Sequence, residues 1–190
     1  SSKTQDGAIS AYLLNEGIIP PNKDPNPIVK KNYAGGYLFC PKTGIFNYMF
    51  DEDLTSLYPS IIMTLNISPE SKIGKIQDWD ANKFLKGEVD TYYIGDDSIT
   101  RENLKEYLDK SNFAVSSNGV LYRTDAVGCI PGILDLWFAQ RVKYKNEMKK
   151  FGKAGNKEKY AFYHKRQLVQ KILLNSLYGV LGLPAFRFYD

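Results

Sequence analysis

An acidic residue at the end of a predicted strand is the first candidate for chemistry in this sequence. Asp53 ends the alternating run 45–53, and a helix is predicted to begin soon after it, at Pro59. A carboxylate held at a strand end, beside the free N–H groups of a helix start, suits a hard cation such as Mg²⁺ that bridges to phosphates. The alternative interpretation is an acid exposed at a turn.

Cations and polar groups on two long predicted helices are the second candidate. Lys171, Asn175 and Tyr178 recur at i, i+4 and i+7, so they share one helical face. Arg141 and Lys145 lie four residues apart on the preceding helix. In an antiparallel pair these cations converge, and they match the roughly three to four negative charges of a nucleoside triphosphate. The alternative is a lysine-rich helical face that only meets solvent.

The run Tyr33-Ala34-Gly35-Gly36 is a weaker candidate, placed after a proline-rich connector. Paired glycines let a backbone approach a ligand closely, and the aromatic ring beside them can stack. A turn at the entry to a strand explains the same residues.

Several elements must position these residues. Asp6 is the predicted N-cap of a first helix, Pro59 opens a short helix, and Asn118-Gly119 indicates a hairpin turn. Gly152 is the predicted end of the first long helix and Gly179 with Gly182 that of the second, and the two helices form an antiparallel hairpin. The predicted helices cover 6–16, 59–66, 102–110, 131–151 and 157–178, and the predicted strands cover 37–40, 45–53, 90–94 and pieces of 113–129.

Composition bounds the class of protein. The 190 residues are 43% hydrophobic, which favours one globular domain, with or without a projecting element, over a disordered chain. No apolar run approaches the roughly 18–20 residues of a membrane span. Two cysteines exclude a disulfide scaffold and favour a reducing compartment, and a single histidine excludes His-based zinc sites.

Charge is concentrated in one part of the chain. Between Arg141 and Lys171, eleven Lys and Arg residues oppose two Glu, a net charge of +9 on a chain whose total is +4. Such a block favours a polyanionic partner, and a solvated helical surface is the alternative.

Two runs of residues resemble motifs of a known family. DLTSLYPSII at 53–62 and KILLNSLYG at 171–179 are similar, in this order, to two polymerase motifs of the family B DNA polymerases. The element at 33–36 is similar to one between the exonuclease and polymerase regions. The resemblance is closest to replicative polymerases of tailed phages, and it covers most of residues 20–190.

The resemblance implies an α+β fold: part of a polymerase palm, with a small antiparallel sheet and helices, and an antiparallel two-helix fingers hairpin. The expected divisions are an N-terminal helix and connector (1–32), a partial palm (33–130), the fingers hairpin (131–179) and the start of a return to the palm (180–190).

The resemblance also implies residue roles. Asp53 would be a catalytic metal ligand, joined by the Leu54 carbonyl, and Asp51 would be a bystander. The expected nucleotide-binding groups are the backbone N–H groups of Ser56 and Leu57, the ring of Tyr58 under the sugar, Arg141, Lys145 and Lys171 on the triphosphate, and Asn175. Lys171 would also be catalytic. The expected contacts to the nascent base pair are Tyr178 and Gly179, and those to the template are Tyr33, Gly35 and Gly36.

One family motif is absent from the sequence. The Tyr-Gly-Asp-Thr-Asp-Ser run that supplies a second catalytic aspartate is not reached before Asp190, and neither exonuclease motifs nor a thumb are found. The resemblance therefore implies a partial DNA polymerase that adds dNTPs to a primer by a two-metal (Mg²⁺) mechanism. We expect the isolated chain to be nearly inactive.

The expected partners are primer–template DNA, dNTP and a complementary polymerase fragment, with a second copy of the chain as a further option and no membrane. The expected location is the cytoplasm, in a phage-infected host. The alternative function is a non-catalytic module that binds nucleotide or DNA.

Overall fold

The computed structural model describes residues 2–25, 39–40, 42–54 and 56–189, and it confirms the α+β class. The helices are α1 (Ser2–Asn15), α2 (Leu57–Thr64), α3 (Ala81–Lys86), α4 (Arg101–Ser111), α5 (Cys129–Lys153) and α6 (Lys157–Leu181). The strands are β1 (Lys72–Lys75), β2 (Thr91–Ile94), β3 (Asp97–Thr100), β4 (Phe113–Val115) and β5 (Val120–Arg123), and a 3₁₀ turn spans Pro69–Ser71.

The larger hydrophobic core joins α1 and α2 to one half of each long helix. Ile133, Leu134 and Trp137 of α5 are buried there against Leu174 and Leu177 of α6. Each such side chain contributes roughly 1.5–3 kcal/mol by leaving water. No residue of α5 beyond Trp137 and none of α6 before Leu174 is buried. The other halves of the two helices therefore project from the core as a hairpin.

A smaller core occupies the middle of the chain. An antiparallel sheet of order β1-β5-β4 and the β2-β3 hairpin pack with α3 and α4. The buried side chains of this core are Ile76, Tyr92, Ile99, Leu104 and Leu121. The predicted turn at Asn118-Gly119 does connect β4 to β5. Gly119 has a φ of +84°, and a Cβ there would lie 2.6 Å from the Cβ of Trp79, so both conformation and space require glycine.

The first turn of α5 is held by side chains from the segment that follows α2. Asn66 accepts the N–H of Gly128 at 2.8 Å and donates to the carbonyls of Arg123 and Ala126. The Ser68 hydroxyl accepts the N–H of Ile130 at 3.2 Å. These bonds satisfy donors that a helix start leaves unpaired. Helix α5 is therefore fixed to the end of α2 at its root.

A carboxylate and a thiol complete this contact. Glu70 accepts the backbone N–H of Cys129 and the hydroxyl of Ser68. Burial alone raises the pKa of Glu70, but these hydrogen bonds outweigh it and the pKa is lowered. Burial, together with the neighbouring Glu70 charge, raises the pKa of the Cys129 thiol to about 12. The root of α5 thus contains an ionised carboxylate beside a thiol that stays neutral.

The predicted hairpin at 37–40 and 45–53 is wrong for the part of it that is described. Residues 39–40 and 42–54 contain no strand and are exposed throughout. A strand needs a hydrogen-bonded neighbour, and within the part of the chain that the structure describes β1 to β5 pair only with one another. Asp53 therefore precedes α2 on irregular, solvent-exposed chain rather than at the end of a strand.

Several helix boundaries also differ from prediction. Helix α1 begins at Ser2, so Asp6 lies inside it and pairs with Arg187 at 3.0 Å instead of serving as an N-cap. Helix α5 continues past Gly152 to Lys153, and α6 continues past Gly179 to Leu181, where Gly182, the other predicted stop, is the C-cap. Glycine costs a helix only about 1 kcal/mol relative to alanine, which burial of neighbours such as Val180 offsets.

Replacement of Asn66 by glycine tests the attachment of α5. Asn66 has a φ of +55°, which glycine adopts freely, so Asn66→Gly removes the side-chain hydrogen bonds without adding backbone strain. We expect the free energy of unfolding, measured by urea denaturation, to fall by about 1–3 kcal/mol. Asn112, exposed and also left-handed (φ +54°), is the matched control, and Asn112→Gly should change it by less than about 0.5 kcal/mol. Equal effects of the two substitutions would contradict the attachment.

The two cysteines are expected to react differently with alkylating reagents. At about pH 8, iodoacetamide should modify the exposed Cys40 and leave Cys129 intact, because only thiolate reacts. Peptide mass mapping of the native protein measures this difference, and equal modification of both cysteines would refute it.

The raised pKa of Cys129 also makes stability depend on pH. Above its ordinary pKa of 9.0 the Cys129 thiol ionises first in the unfolded chain, so the free energy of unfolding should fall between about pH 9 and 12.

Candidate functional site

An open cleft of about 580 Å³ lies between the start of α2 and the facing sides of α5 and α6. Three segments that are distant in sequence form its walls: the exposed chain before α2 with the first turn of that helix, the middle of α5 and the second half of α6. Its lining residues are Asp53, Leu54, Ser56, Leu57, Tyr58, Pro59, Arg141, Lys145, Lys171 and Asn175. Every predicted metal-ligating and nucleotide-binding residue thus lies on one concave surface.

Antiparallel packing of α5 and α6 brings the cations together. Gln170 donates to Gln140 across the helix pair at 2.8 Å, and these residues immediately precede Lys171 and Arg141 in the chain. Sequence reasoning missed this glutamine pair. The available signal was that a Gln immediately precedes a predicted-site cation on each of the two helices. The bond fixes the two helices in register at the level of the cleft.

The cleft has an excess of positive charge. Arg141, Lys145 and Lys171 face one acidic side chain of the lining, Asp53, and no ion pair among the described residues neutralises any of the three cations. The Nε of Arg141 is buried and has no hydrogen-bond partner in the described structure. A buried donor without an acceptor is costly, so this geometry favours an anionic ligand.

Backbone N–H groups at the start of α2 also favour an anionic ligand. Ser56 is the N-cap, with a left-handed φ of +55°, and the helix starts at Leu57. The N–H groups of Leu57 and Tyr58 belong to the first turn, where no intrahelical acceptor exists, and Pro59 has no N–H to offer. The start of α2 therefore adds hydrogen-bond donors and a partial positive charge to the wall that the cations face.

Two tyrosine rings stack at the edge of the cleft. The rings of Tyr58 and Tyr178 lie 4.3 Å apart between centroids with an angle of 13° between their planes. Each side chain remains exposed, to 41% and 39% respectively. Gly179 follows in α6, and a Cβ at this position would meet no atom within 4 Å. The surface next to the tyrosine pair is therefore open.

Four other residues named from the sequence lie either outside the described residues or outside the cleft. Tyr33, Gly35 and Gly36 lie outside the described residues. Asp51 is exposed and does not line the cleft.

The donor set at Asp53 suits a cation that brings further ligands with it. Across the described part of the chain, no cluster of three or more His, Cys, Asp or Glu side chains could hold a metal ion alone. Mg²⁺ in phosphate-binding sites commonly takes one or two carboxylates, waters and phosphate oxygens. The Asp53 carboxylate and the Leu54 carbonyl fit that pattern.

None of the described helices is both long and apolar enough to cross a membrane.

Comparison with known proteins establishes the class. The family model for DNA polymerase family B matches residues 4–190. The chain therefore belongs to the family B DNA polymerases.

Individual relatives come from phages and archaea. The chain is 27% identical to the DNA-directed DNA polymerase of Enterobacteria phage T4, over 99% of this chain and 24% of that protein. It is 31% identical to DNA polymerase 1 of Pyrococcus abyssi, over 94% of this chain and 19% of that protein.

A solved structure shares the fold. The family B DNA polymerase of the archaeon Pyrobaculum calidifontis matches all of this chain and 21% of its own, with a TM-score of 0.65 and 21% identity. The chain thus spans about a fifth to a quarter of the length of these relatives.

A double-mutant cycle tests the contact between Tyr58 and Tyr178. We expect Tyr58→Leu and Tyr178→Leu to be non-additive in the free energy of unfolding, with a coupling of about 0.5–1.5 kcal/mol, because stacked rings attract beyond their buried area. Tyr93, exposed on β2, provides the control cycle with Tyr58, and those two effects should add. Additivity within about 0.3 kcal/mol for the Tyr58–Tyr178 cycle would exclude the stack in solution.

Proposed function

We propose that the cleft binds a deoxynucleoside triphosphate with Mg²⁺, and that the chain supplies this part of the active site of a template-directed DNA polymerase. The observation that supports it is the convergence of Asp53, three unpaired cations and the start of α2 on one cleft. The membership of family B supports the reaction class, which is transfer of a nucleotide to a primer 3′-OH.

The cations and the backbone N–H groups of the cleft would bind the triphosphate. Arg141, Lys145 and Lys171 would hold the triphosphate from the helical side, and the N–H groups of Ser56 and Leu57 would hold it from the other. Phosphoryl transfer depends mostly on such positioning and charge stabilisation. Lys171 would also stabilise the charge that develops as pyrophosphate leaves.

The remaining cleft residues would orient the nucleotide and its metal. Asp53 and Leu54 would hold Mg²⁺, which supplies Lewis-acid stabilisation of phosphate oxygens when bound. The ring of Tyr58 would lie under the sugar and leave no room for a 2′-OH. Asn175 would help position the nucleotide, and Tyr178 and Gly179 would contact the new base pair.

The proposed template contacts are Tyr33, Gly35 and Gly36. With one carboxylate in the lining, the cleft also needs a second from elsewhere, since paired catalytic metals share carboxylates. We therefore propose that the chain is nearly inactive alone and works with a complementary polymerase polypeptide on primer–template DNA. Self-association is a further option. The proposed setting is the cytoplasm of a phage-infected cell.

A second candidate function is nucleotide binding without catalysis. The same single carboxylate in the cleft favours it, because a triphosphate site needs cations and N–H donors but no paired acids.

Nucleotide binding provides the first test. We expect Arg141→Gln and Lys171→Gln each to weaken binding of a dNTP with Mg²⁺ by about tenfold or more, since a hydrogen bond to a charged group contributes roughly 1.5–3 kcal/mol. Lys105 is exposed on α4, and Lys105→Gln is the matched control for loss of one charge. Isothermal titration calorimetry measures the affinities. Unchanged affinity in both cleft variants would refute the nucleotide site.

Primer extension separates the two candidate functions. A polymerase role requires incorporation when the complementary polypeptide is added, and its loss in Asp53→Ala. A binding module gives dNTP affinity but no incorporation under any of these conditions. Incorporation by the purified chain alone that disappears in Asp53→Ala would contradict the proposed need for a second carboxylate.

A further inference from the structure

The free end of the α5–α6 hairpin has a second concentration of positive charge, away from the cleft. Between Lys150 and Arg166 six basic residues oppose one acid, Glu158, a net charge of +5. All six are exposed, and no ion pair joins them to an acidic side chain within the described ranges. These residues, here called the distal patch, are Lys150, Lys153, Lys157, Lys159, Lys165 and Arg166.

Aromatic rings alternate with these cations. The Nζ of Lys159 lies 4.9 Å from the ring centroid of Phe151, and the guanidinium carbon of Arg166 lies 4.8 Å from that of Phe162. Tyr160 and Phe162 are 41% and 50% exposed, although they lie on a helix with a polar surface. Tyr160 stacks on His164 and lies against Gly152, and Phe162 meets Tyr163 edge to face, so part of each ring is engaged within the hairpin and the rest is open to solvent.

The distal patch is separate from the cleft. Lys145 is the last residue of α5 that lines the cleft, and Lys153 lies about 12 Å further along the helix at roughly 1.5 Å per residue. On α6, Lys157 and Lys159 lie about 18 Å or more before Lys171 by the same measure, while Lys150 and Arg166 lie only about 7.5 Å from the nearest cleft cation. The lysines at the free end are therefore the members farthest from the cleft, and a ligand that contacts both regions must be extended.

We propose that the distal patch binds single-stranded nucleic acid. Exposed cations spaced along two helices match a chain of phosphates, and exposed rings between them match unpaired bases, which stack on aromatic side chains regardless of sequence. In a duplex the bases are paired and stacked inside the helix, so they cannot stack on Tyr160 and Phe162. The inference goes beyond the function proposed for the cleft and does not depend on it.

Fluorescence anisotropy of a labelled oligothymidine of about 12 nucleotides, a length within the usual range of single-strand sites, measures the binding. We expect the triple variant Lys153→Gln/Lys157→Gln/Lys159→Gln to weaken binding at least tenfold. It should also reduce the slope of log K against log salt by about 2, since each phosphate contact on a single strand contributes about 0.7. The control variant Lys75→Gln/Lys83→Gln/Lys105→Gln removes the same charge from exposed positions on the elements around the smaller core. Its affinity for oligothymidine should stay within about twofold of that of the unchanged protein. Equal weakening in both triple variants would overturn the proposal.

Aromatic substitution tests the preference for bases. The variant Tyr160→Leu/Phe162→Leu keeps the charge, and we expect it to weaken oligothymidine binding about tenfold while heparin, a polyanion without bases, binds as before. Tyr93→Leu is the control for loss of an exposed ring. Equal loss for oligothymidine and heparin, or a duplex bound as tightly as the single strand, would overturn the assignment to single strands.

Cleft variants separate this proposal from the previous one. Arg141→Gln/Lys171→Gln should lose dNTP affinity and keep oligothymidine affinity, and the distal triple variant should show the opposite pattern. Loss of oligothymidine binding in the cleft variant, with none in the distal variant, would assign the strand to the cleft and refute the distal site.

Discussion

The hydrogen bonds between the segment after α2 and the first turn of α5 determine the geometry of the cleft. The start of α2 supplies one wall of the cleft, and α5 supplies two of the cations opposite it. Asn66 joins the two through bonds to the N–H of Gly128 and to two carbonyls, and Ser68 and Glu70 add further acceptors. A Cβ at Gly128 would lie 2.7 Å from the Cβ of Ser68, so the close approach itself depends on glycine. Without this contact the two walls would be related only through apolar packing, which is less directional than hydrogen bonding.

Charge is distributed along the hairpin in two groups with different surroundings. The cleft group lies opposite Asp53 and the start of α2, on a concave surface where three cations and backbone N–H groups can contact one anion together. The distal group lies on a solvent-exposed end, where single contacts are weak and only several together produce affinity. A small, highly charged ligand suits the first surroundings, and a long polyanion suits the second.

The two long helices were predictable from the residues that mark their ends, since proline is tolerated at a helix start and glycine commonly ends a helix; a buried stripe is present over only one end of each. The shared positions of Lys171 and Asn175 on α6, and of Arg141 and Lys145 on α5, followed from helical periodicity, and the structure places all four in one cleft. The strand predicted at 45–53 was wrong, since alternation shows which residues could form a strand and says nothing about whether a partner strand exists. The hydrogen bonds of Asn66 were equally hidden, because they join residues about sixty positions apart and asparagine in a loop has many other roles. The stack of Tyr58 on Tyr178 depends on the packing of α2 against α6, which no local pattern encodes.

Attachment of α5 at one end makes the helix a lever. The root hydrogen bonds and the core together hold α5 from Cys129 to Trp137, and Lys145 lies about 12 Å beyond Trp137 at roughly 1.5 Å per residue. A tilt of about 10° at the end of this held part would therefore move Lys145 by about 2 Å, which is enough to take a hydrogen-bonded ion pair out of contact. The free end of the helix, another eight residues on, would move about twice as far. The position of the cleft cations thus depends on how firmly the first third of α5 is held.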